Sequence, residues 1–229
     1  MLRCPKTRSK LELENGKLIN RNGHSFDIIN NIPVFVEDKD AVSKRELHES
    51  LADAYSHLEQ LKGITGFFYN MYIKQTIDFI KKYKPKLLLD IGGGEGAIFS
   101  KFKYSRFIVD ISLRRLIRNK DEGSLKFRAD GMNLPFEDEL FDAALLIAVL
   151  EHTMNPIQMV SETARVLKRG GKVAVLVPND INKSIGRILI GKSAPRSPGH
   201  LYFFTPTKLL YMIKNNFKLI TGFRKHIDM

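Results

Sequence analysis

The sequence predicts a doubly wound α/β fold: a mostly parallel sheet with helices on both faces, plus a small N-terminal β-rich appendage. Three observations predict it. From Lys86 onward apolar strand-like runs alternate with helical runs, the pattern of a parallel sheet covered on both faces. The first of those runs, Leu87–Ile91, enters the turn Gly92-Gly93-Gly94-Glu95-Gly96, and glycine-rich strand-to-helix turns mark ligand sites in such sheets. Ahead of it, Asn15-Gly16 and Asn22-Gly23 punctuate short alternating runs, which is a hairpin signal.

Taken in order, residues 1–38 form the appendage, with strands around Lys10–Glu14 and Lys17–Ile19. Residues 39–83 are helical and form a cap or lid: Leu47, Leu51, Ala54, Tyr55, Leu58 and Leu61 recur at three- and four-residue spacing, and a second helix from about Tyr69 to Tyr83 stops before Pro85. Residues 84–229 hold the main domain, with strands at Leu87–Ile91, Phe107–Asp110, Leu125–Asp130, Phe141–Ala148, Lys172–Val177 and Phe217–Gly222. Helices are expected to begin near Gly96, Leu113, Pro156 and Pro206. Asn155-Pro156 reads as a cap with a first-turn proline, and Gly170-Gly171 as the end of that helix.

Composition narrows the function classes. The chain has 229 residues, 43% apolar and 27% charged, enough for one large domain with its own core. The longest apolar run, Ala143–Leu150, is far shorter than the ~18 residues that suggest a membrane span. No secretory signal is visible at Met1–Lys6, so a cytoplasmic location is expected. The single cysteine, Cys4, forbids an internal disulfide and a multi-cysteine metal site. The net charge is +12, and residues 183–229 hold nine Lys/Arg against the lone acid Asp228. A basic end of this kind suits RNA, anionic lipid or a phosphorylated substrate; solvated surface lysines are the plain alternative.

The ligand chemistry is read from the strand ends. Gly92, Gly94 and Ala97 fit a dinucleotide G-x-G-x-x-A pattern, yet Asp90 and Glu95 put carboxylates where a pyrophosphate would sit. A ligand carrying an amine and a sulfonium would be attracted instead. Twenty positions beyond Asp90, Asp110 ends the second strand, where a carboxylate can accept two ribose hydroxyls. Asp130, before Gly131 and Met132, can accept from an adenine amino group.

This series, with Phe141–His152, Ala164-Arg165-Val166-Leu167-Lys168-Arg169-Gly170-Gly171-Lys172 and Gly199-His200-Leu201-Tyr202-Phe203-Phe204-Thr205-Pro206, resembles the class I S-adenosylmethionine-dependent methyltransferases of the type 11 group. The match runs over roughly residues 50–222. The resemblance implies a Rossmann-like fold and S-adenosylmethionine as cofactor, leaving as S-adenosylhomocysteine, with no metal. It implies that Gly92 and Gly94 pass under the methionine moiety while Asp90 supports its amine. Asp110 would hold the ribose, Ile111 would pack on the adenine, and Asp130, Gly131 and Met132 would border the adenine edge. Ile147 would offer its backbone, and Tyr55 resembles a tyrosine that closes over the cofactor; core packing is the alternative for Ile111, Met132, Ile147 and Tyr55.

Without an Asn-Pro-Pro-Tyr-like element or a cysteine near the motifs, direct in-line transfer to oxygen, nitrogen or carbon remains. His152 and His200 are the candidate bases, because histidine titrates near working pH; a positioning role for His152 and a solvent-facing one for His200 are the rivals. Residues 182–204 are expected to form an acceptor-side flap in which Arg187, Lys192 and His200 meet the substrate. A small-molecule or lipid-linked acceptor is the main expectation, RNA the second, and a catalytically degenerate cofactor-binding module docking on RNA or a partner protein the third.

The first 38 residues also resemble a small zinc ribbon. Such a ribbon would place cysteines at 4, 7, 19 and 22, where this chain has Cys4, Thr7, Ile19 and Asn22. A tetrahedral zinc site cannot be built from what remains, so the segment reads as a metal-free relic.

Overall fold

The structure, a computed structural model, describes residues 1–36, 64–96, 105–177 and 201–218. Among the described residues, five strands make the central sheet: β6 (Leu87–Ile91), β7 (Ser105–Asp110), β8 (Ser124–Arg128), β9 (Phe141–Ile147) and β10 (Leu167–Leu176). All neighbouring pairs are parallel, and the spatial order is β10-β9-β6-β7-β8. The winding reverses between β6 and β9, and the crevice at the carboxyl ends of such a pair is where open α/β sheets take ligands.

β6, β7 and β9 are buried on both faces, which is why they read as apolar runs rather than alternating ones. Leu89, Ile91, Phe107, Val109, Phe127, Ala144 and Leu146 belong to one cluster with Met159, Val160 and Val166 of α3 (Pro156–Val166) and Leu209 and Ile213 of α4 (Pro206–Ile213). Phe136 sits edge-on to Phe107, Phe127 and Phe141 at 5.9, 5.2 and 5.0 Å, and each such pair adds ~0.5–1.5 kcal/mol beyond its burial. On the opposite face Leu88, Ala143 and Leu145 pack on Ile80 of α1 (Ile64–Tyr83), and Ile108 packs on Leu116 of α2 (Leu113–Arg118).

The N-terminal segment packs into the first of these clusters. β1 (Glu12–Glu14), β2 (Lys17–Ile19) and β3 (Ser25–Phe26) form an antiparallel sheet, and β4 (Ile28–Ile29) pairs with β5 (Ile32–Pro33). Cys4, Leu11, Leu18, Phe26 and Phe35 share the core of Phe107 and Phe136. The edge of β8 is covered by this segment: Val34 bridges Arg128 in parallel, and the Phe35 amide donates to the Arg128 carbonyl at 2.8 Å. An open edge strand invites unwanted pairing, and here the chain closes it itself. Two knuckle-like turns, at 4–9 and 20–24, are joined by Asn20, which is 5% exposed. Its amide nitrogen donates to Thr7 Oγ1 (3.1 Å) and Ser9 Oγ (2.9 Å), while its oxygen accepts from the Asn22 and His24 amides (3.0 and 2.9 Å).

Several expectations are met by local chemistry. Asn15 (φ 49°) and Gly16 (φ 76°) form the β1–β2 turn in the left-handed region. Asn155 caps α3 by accepting from the Gln158 amide at 3.1 Å, and Thr205 caps α4 through the Lys208 amide at 3.2 Å. Others are corrected. α3 ends at Val166, and Gly170-Gly171 does not close it: Leu167 already turns extended to pair with Phe141, and the two glycines bend the strand where its register shifts before Lys172. Phe217 donates its amide to the Ile213 carbonyl at 2.9 Å in the turn after α4, and most of the strand expected over 217–222 lies outside the described residues. α1 starts at Ile64 rather than Tyr69, and the helices expected over 47–61 and after Gly96 lie outside the described residues. Among the described residues, no helix is long and apolar enough to cross a membrane.

Candidate cofactor site

β6 and β7 carry two acids to one edge of the sheet. Their register sets Asp90 beside Ile108 and Ile91 beside Val109, so Asp90 and Asp110 share the face that packs on α1 and α2. Both are 5% exposed. Asp90 is pushed up to about 7, chiefly by burial and then by the negative charge of Asp110; the Arg106 and Arg115 guanidinia work against this. Asp110 is tied on both sides. Its Oδ1 accepts from the Ser112 amide at 2.9 Å, and its Oδ2 from Arg115 Nη1 at 3.3 Å.

The glycine turn wraps over these acids. Gly92 (φ 77°) continues the ladder by donating its amide to the Val109 carbonyl at 2.7 Å. A Cβ there would stand 2.6 Å from Val149 Cγ2. At Gly93 a Cβ would stand 2.6 Å from the Asp90 carboxylate, so the turn lies directly on that acid. Gly94 (φ 47°) faces the Arg115 guanidinium, with less room than one methyl group needs. Asn119, at the end of α2 and 4% exposed, donates its side-chain amide to the Gly94 carbonyl at 2.9 Å and fixes the turn from below.

The remaining strand ends reach the same edge. After β8, Asp130 Oδ1 accepts the Met132 amide at 2.9 Å, forming a compact turn. Gly131 sits so close to Ile91 and Met159 that a Cβ would meet each at 2.8 Å, which binds this turn to the end of β6. Ile111 is half-buried and its carbonyl accepts from Arg128 Nε at 3.1 Å. Ile147 ends β9 beside Leu176. His152, 8% exposed, lies in the short turn Leu150–His152 that follows, with its Nε2 3.9 Å from the buried Glu151 carboxylate. The Glu151 carbonyl in turn accepts from the Leu201 and Tyr202 amides at 2.7 and 3.3 Å, so the end of the expected flap is held beside that turn.

The structure thus brings Asp90, Gly92, Gly94, Asp110, Ile111, Asp130, Gly131, Met132, Ile147 and His152 to the carboxyl edge of the sheet. Tyr55, Arg187, Lys192 and His200 lie outside the described residues. Gly93, Arg115, Asn119 and Glu151 emerge from the fold and not from the sequence motifs. Of these only Gly93 left a sequence signal, as the middle of a triple glycine.

Two buried carboxylates beside a turn of glycines can accept hydrogen bonds from an amine and from a ribose diol. The same residues therefore fit S-adenosylmethionine. Among the described residues no group of His, Cys, Asp and Glu is arranged to hold a metal ion.

The chain is similar to known proteins in sequence and in fold. Residues 89–175 match the family described as a methyltransferase domain. The chain is 40% identical over 103 residues to an uncharacterized protein, MJ1123, of Methanocaldococcus jannaschii, covering 44% of this chain and 50% of that one. It is 27% identical over 162 residues to the ubiquinone/menaquinone biosynthesis C-methyltransferase UbiE of Stutzerimonas stutzeri, covering 64% and 60%. The chain therefore spans about half to three fifths of the length of the curated relatives it matches. In fold it is similar to a S-adenosylmethionine-dependent methyltransferase of Thermotoga maritima, with a TM-score of 0.58 at 20% identity over 75% of this chain and 79% of that one. The YcgJ protein of Bacillus subtilis gives 0.53 at 20% identity, over 64% and 68%. The fold is Rossmann-like, with the small antiparallel N-terminal strands added to it. Residues 89–175 are thus similar in sequence to a methyltransferase domain, and the solved neighbours share the fold.

Proposed function

We propose that the protein transfers a methyl group from S-adenosylmethionine, in line, to an oxygen, nitrogen or carbon atom of a small-molecule or lipid-linked acceptor. The observation that carries this reading is the pairing of Asp90 and Asp110 at adjacent strand ends beneath Gly92–Gly94. Asp110 accepts the ribose hydroxyls, and Asp90 in its ionised form supports the amine. Gly92 and Gly94 let the backbone pass beneath the methionine moiety, and Ile111 and Met132 flank the adenine. When bound, the cofactor supplies an electrophilic methyl on sulfonium.

Orientation does most of the work expected of the protein. Holding two reactants in line supplies ~7–11 kcal/mol, against only ~10²–10⁴-fold in rate from a positioned base. His152 is therefore assigned to positioning: it is buried beside Glu151 in the turn that follows β9. The N-terminal segment is read as a metal-free support for the β8 edge, with Asn20 crosslinking the two turns that a ribbon would join through metal.

The test is methyl transfer from labelled S-adenosylmethionine into fractionated cell extract, with the acceptor fraction then identified. Label in an organic-soluble or small-molecule fraction supports the reading. Label confined to RNA would move the acceptor to nucleic acid, and cofactor binding without transfer to any fraction would leave a degenerate binding module.

A further inference from the structure

One face beside the carboxyl edge is both apolar and basic. Met154 and Ile157, at the entry to α3, are 59% and 62% exposed, and Leu201 and Tyr211 are 40% and 70% exposed. Two contacts tie Met154 to α4, and Ile157 and Leu201 neighbour these residues in the chain. Tyr202 donates its hydroxyl to the Met154 carbonyl at 2.9 Å, and Lys208 Nζ stands 5.6 Å above the Tyr202 ring. Lys208, Tyr211 and Lys214 follow at helical spacing along the outer side of α4, with Lys214 Nζ 4.0 Å over the Tyr211 ring. The inner side of α4 is fixed by Leu209 and Ile213 in the core, so the outer side cannot turn inward.

The charge of this face has one sign. Segments 153–161 and 201–218 contain three lysines and no acid, on a chain of net charge +12. A tyrosine between two lysines, with exposed Met, Ile and Leu beside it, matches a surface that enters the headgroup region: apolar tips bury while long lysine stems keep their charges at the phosphates. We propose that this face docks the protein on an anionic lipid bilayer, so that a membrane-held acceptor meets the carboxyl edge of the sheet. The inference rests on the methyltransferase reading only for what the docking serves.

The test is co-sedimentation of the full chain, without cofactor, with vesicles of equal parts phosphatidylglycerol and phosphatidylcholine. The wild type binds these at least tenfold more tightly than pure phosphatidylcholine vesicles. The pair Lys208→Glu and Lys214→Glu loses at least tenfold, and the pair Met154→Ser and Ile157→Ser loses at least fivefold. The pair Lys74→Glu and Lys81→Glu, exposed on α1 across the sheet, stays within twofold. Absence of vesicle binding by the wild type overturns the proposal, as does an equal loss in the α1 pair, which would mean net charge alone. Displacement from vesicles by total tRNA at equal phosphate concentration, through the same residues, would make the face a nucleic-acid surface instead. Calorimetric binding of S-adenosylmethionine to the same variants keeps the two readings apart: it tests the cofactor site and is unaffected by the docking face.

Discussion

Arg115 Nη1 lies 3.3 Å from Asp110 Oδ2, and the same guanidinium covers the Cα of Gly94. The acid assigned to the ribose is therefore held by a cation that reaches it from α2. Asp110→Ala should weaken S-adenosylmethionine binding by roughly 1.5–3 kcal/mol, the range for hydrogen bonds to a charged group. Arg115 is 30% exposed but Asp110 only 4%, so removing the guanidinium leaves a buried carboxylate with one partner fewer and should destabilise the fold. Because Arg115 donates to an Asp110 oxygen that a ribose hydroxyl would also use, Arg115→Ala should leave the cofactor affinity of the folded protein unchanged or raise it a few-fold. A tenfold loss in that variant would mean that Arg115 holds the cofactor itself.

On the proposed reading, Asp90 should make cofactor binding depend on pH. Its carboxyl is pushed up to about 7 by burial first and by Asp110 second, and a cofactor amine favours its ionised form. Affinity should rise as pH increases through 7, and Asp90→Asn should flatten the profile. Folding stability runs the other way. With a folded pKa above the unfolded value of 3.8, the contribution of Asp90 is fully present below that value and is lost as pH rises toward 7. The swing is on the order of 4 kcal/mol at one pKa unit per ~1.4 kcal/mol. Urea melts of wild type and Asp90→Asn between pH 4 and 8 read it as a difference in slope.

Gly92 and Gly16 separate backbone strain from contact. Both lie near φ 77°, but a Cβ at Gly92 meets Val149 at 2.6 Å and one at Gly16 meets nothing within 4 Å. Gly16→Ala should cost ~1–2 kcal/mol from the left-handed backbone alone. Gly92→Ala adds a clash with Val149 and should cost ~1–3 kcal/mol more. Equal costs in denaturant melts would show that Val149 moves aside freely.

Asn20 joins the turns at 4–9 and 20–24 by hydrogen bonds. Asn20→Ala leaves the Asn22 and His24 amides without their acceptor and should destabilise the protein by ~1–3 kcal/mol. Elemental analysis of the purified protein should find no stoichiometric zinc. Zinc at one ion per chain, lost on Cys4→Ser, would contradict this.

Where local chemistry decides, the sequence was enough. Asn155-Pro156 starts a helix because one side chain caps it and proline loses nothing at the first turn; Asn15-Gly16 turns because both residues tolerate left-handed backbone. The strand-end acids and Gly92 were legible because motif spacing reflects the crossover from one parallel strand to the next. Tertiary contacts were not. Nothing near Asn119 signals that its amide reaches Gly94, 25 positions away in the chain, and nothing near Arg115 signals a guanidinium over that glycine. The end of α3 was misplaced for a similar reason. Gly170-Gly171 has the composition of a helix stop, but pairing of Leu167 with Phe141 ends the helix before the glycines are reached.

The central claim is that Asp90, Asp110 and the glycine turn between them form a site for S-adenosylmethionine. Isothermal titration of the wild-type chain with S-adenosylmethionine and, separately, with NAD tests it most directly. The account predicts one S-adenosylmethionine site per chain, weakened at least tenfold by Asp110→Ala, and no comparable binding of NAD. Equal affinity for NAD, or S-adenosylmethionine binding that Asp110→Ala leaves unchanged, would contradict it.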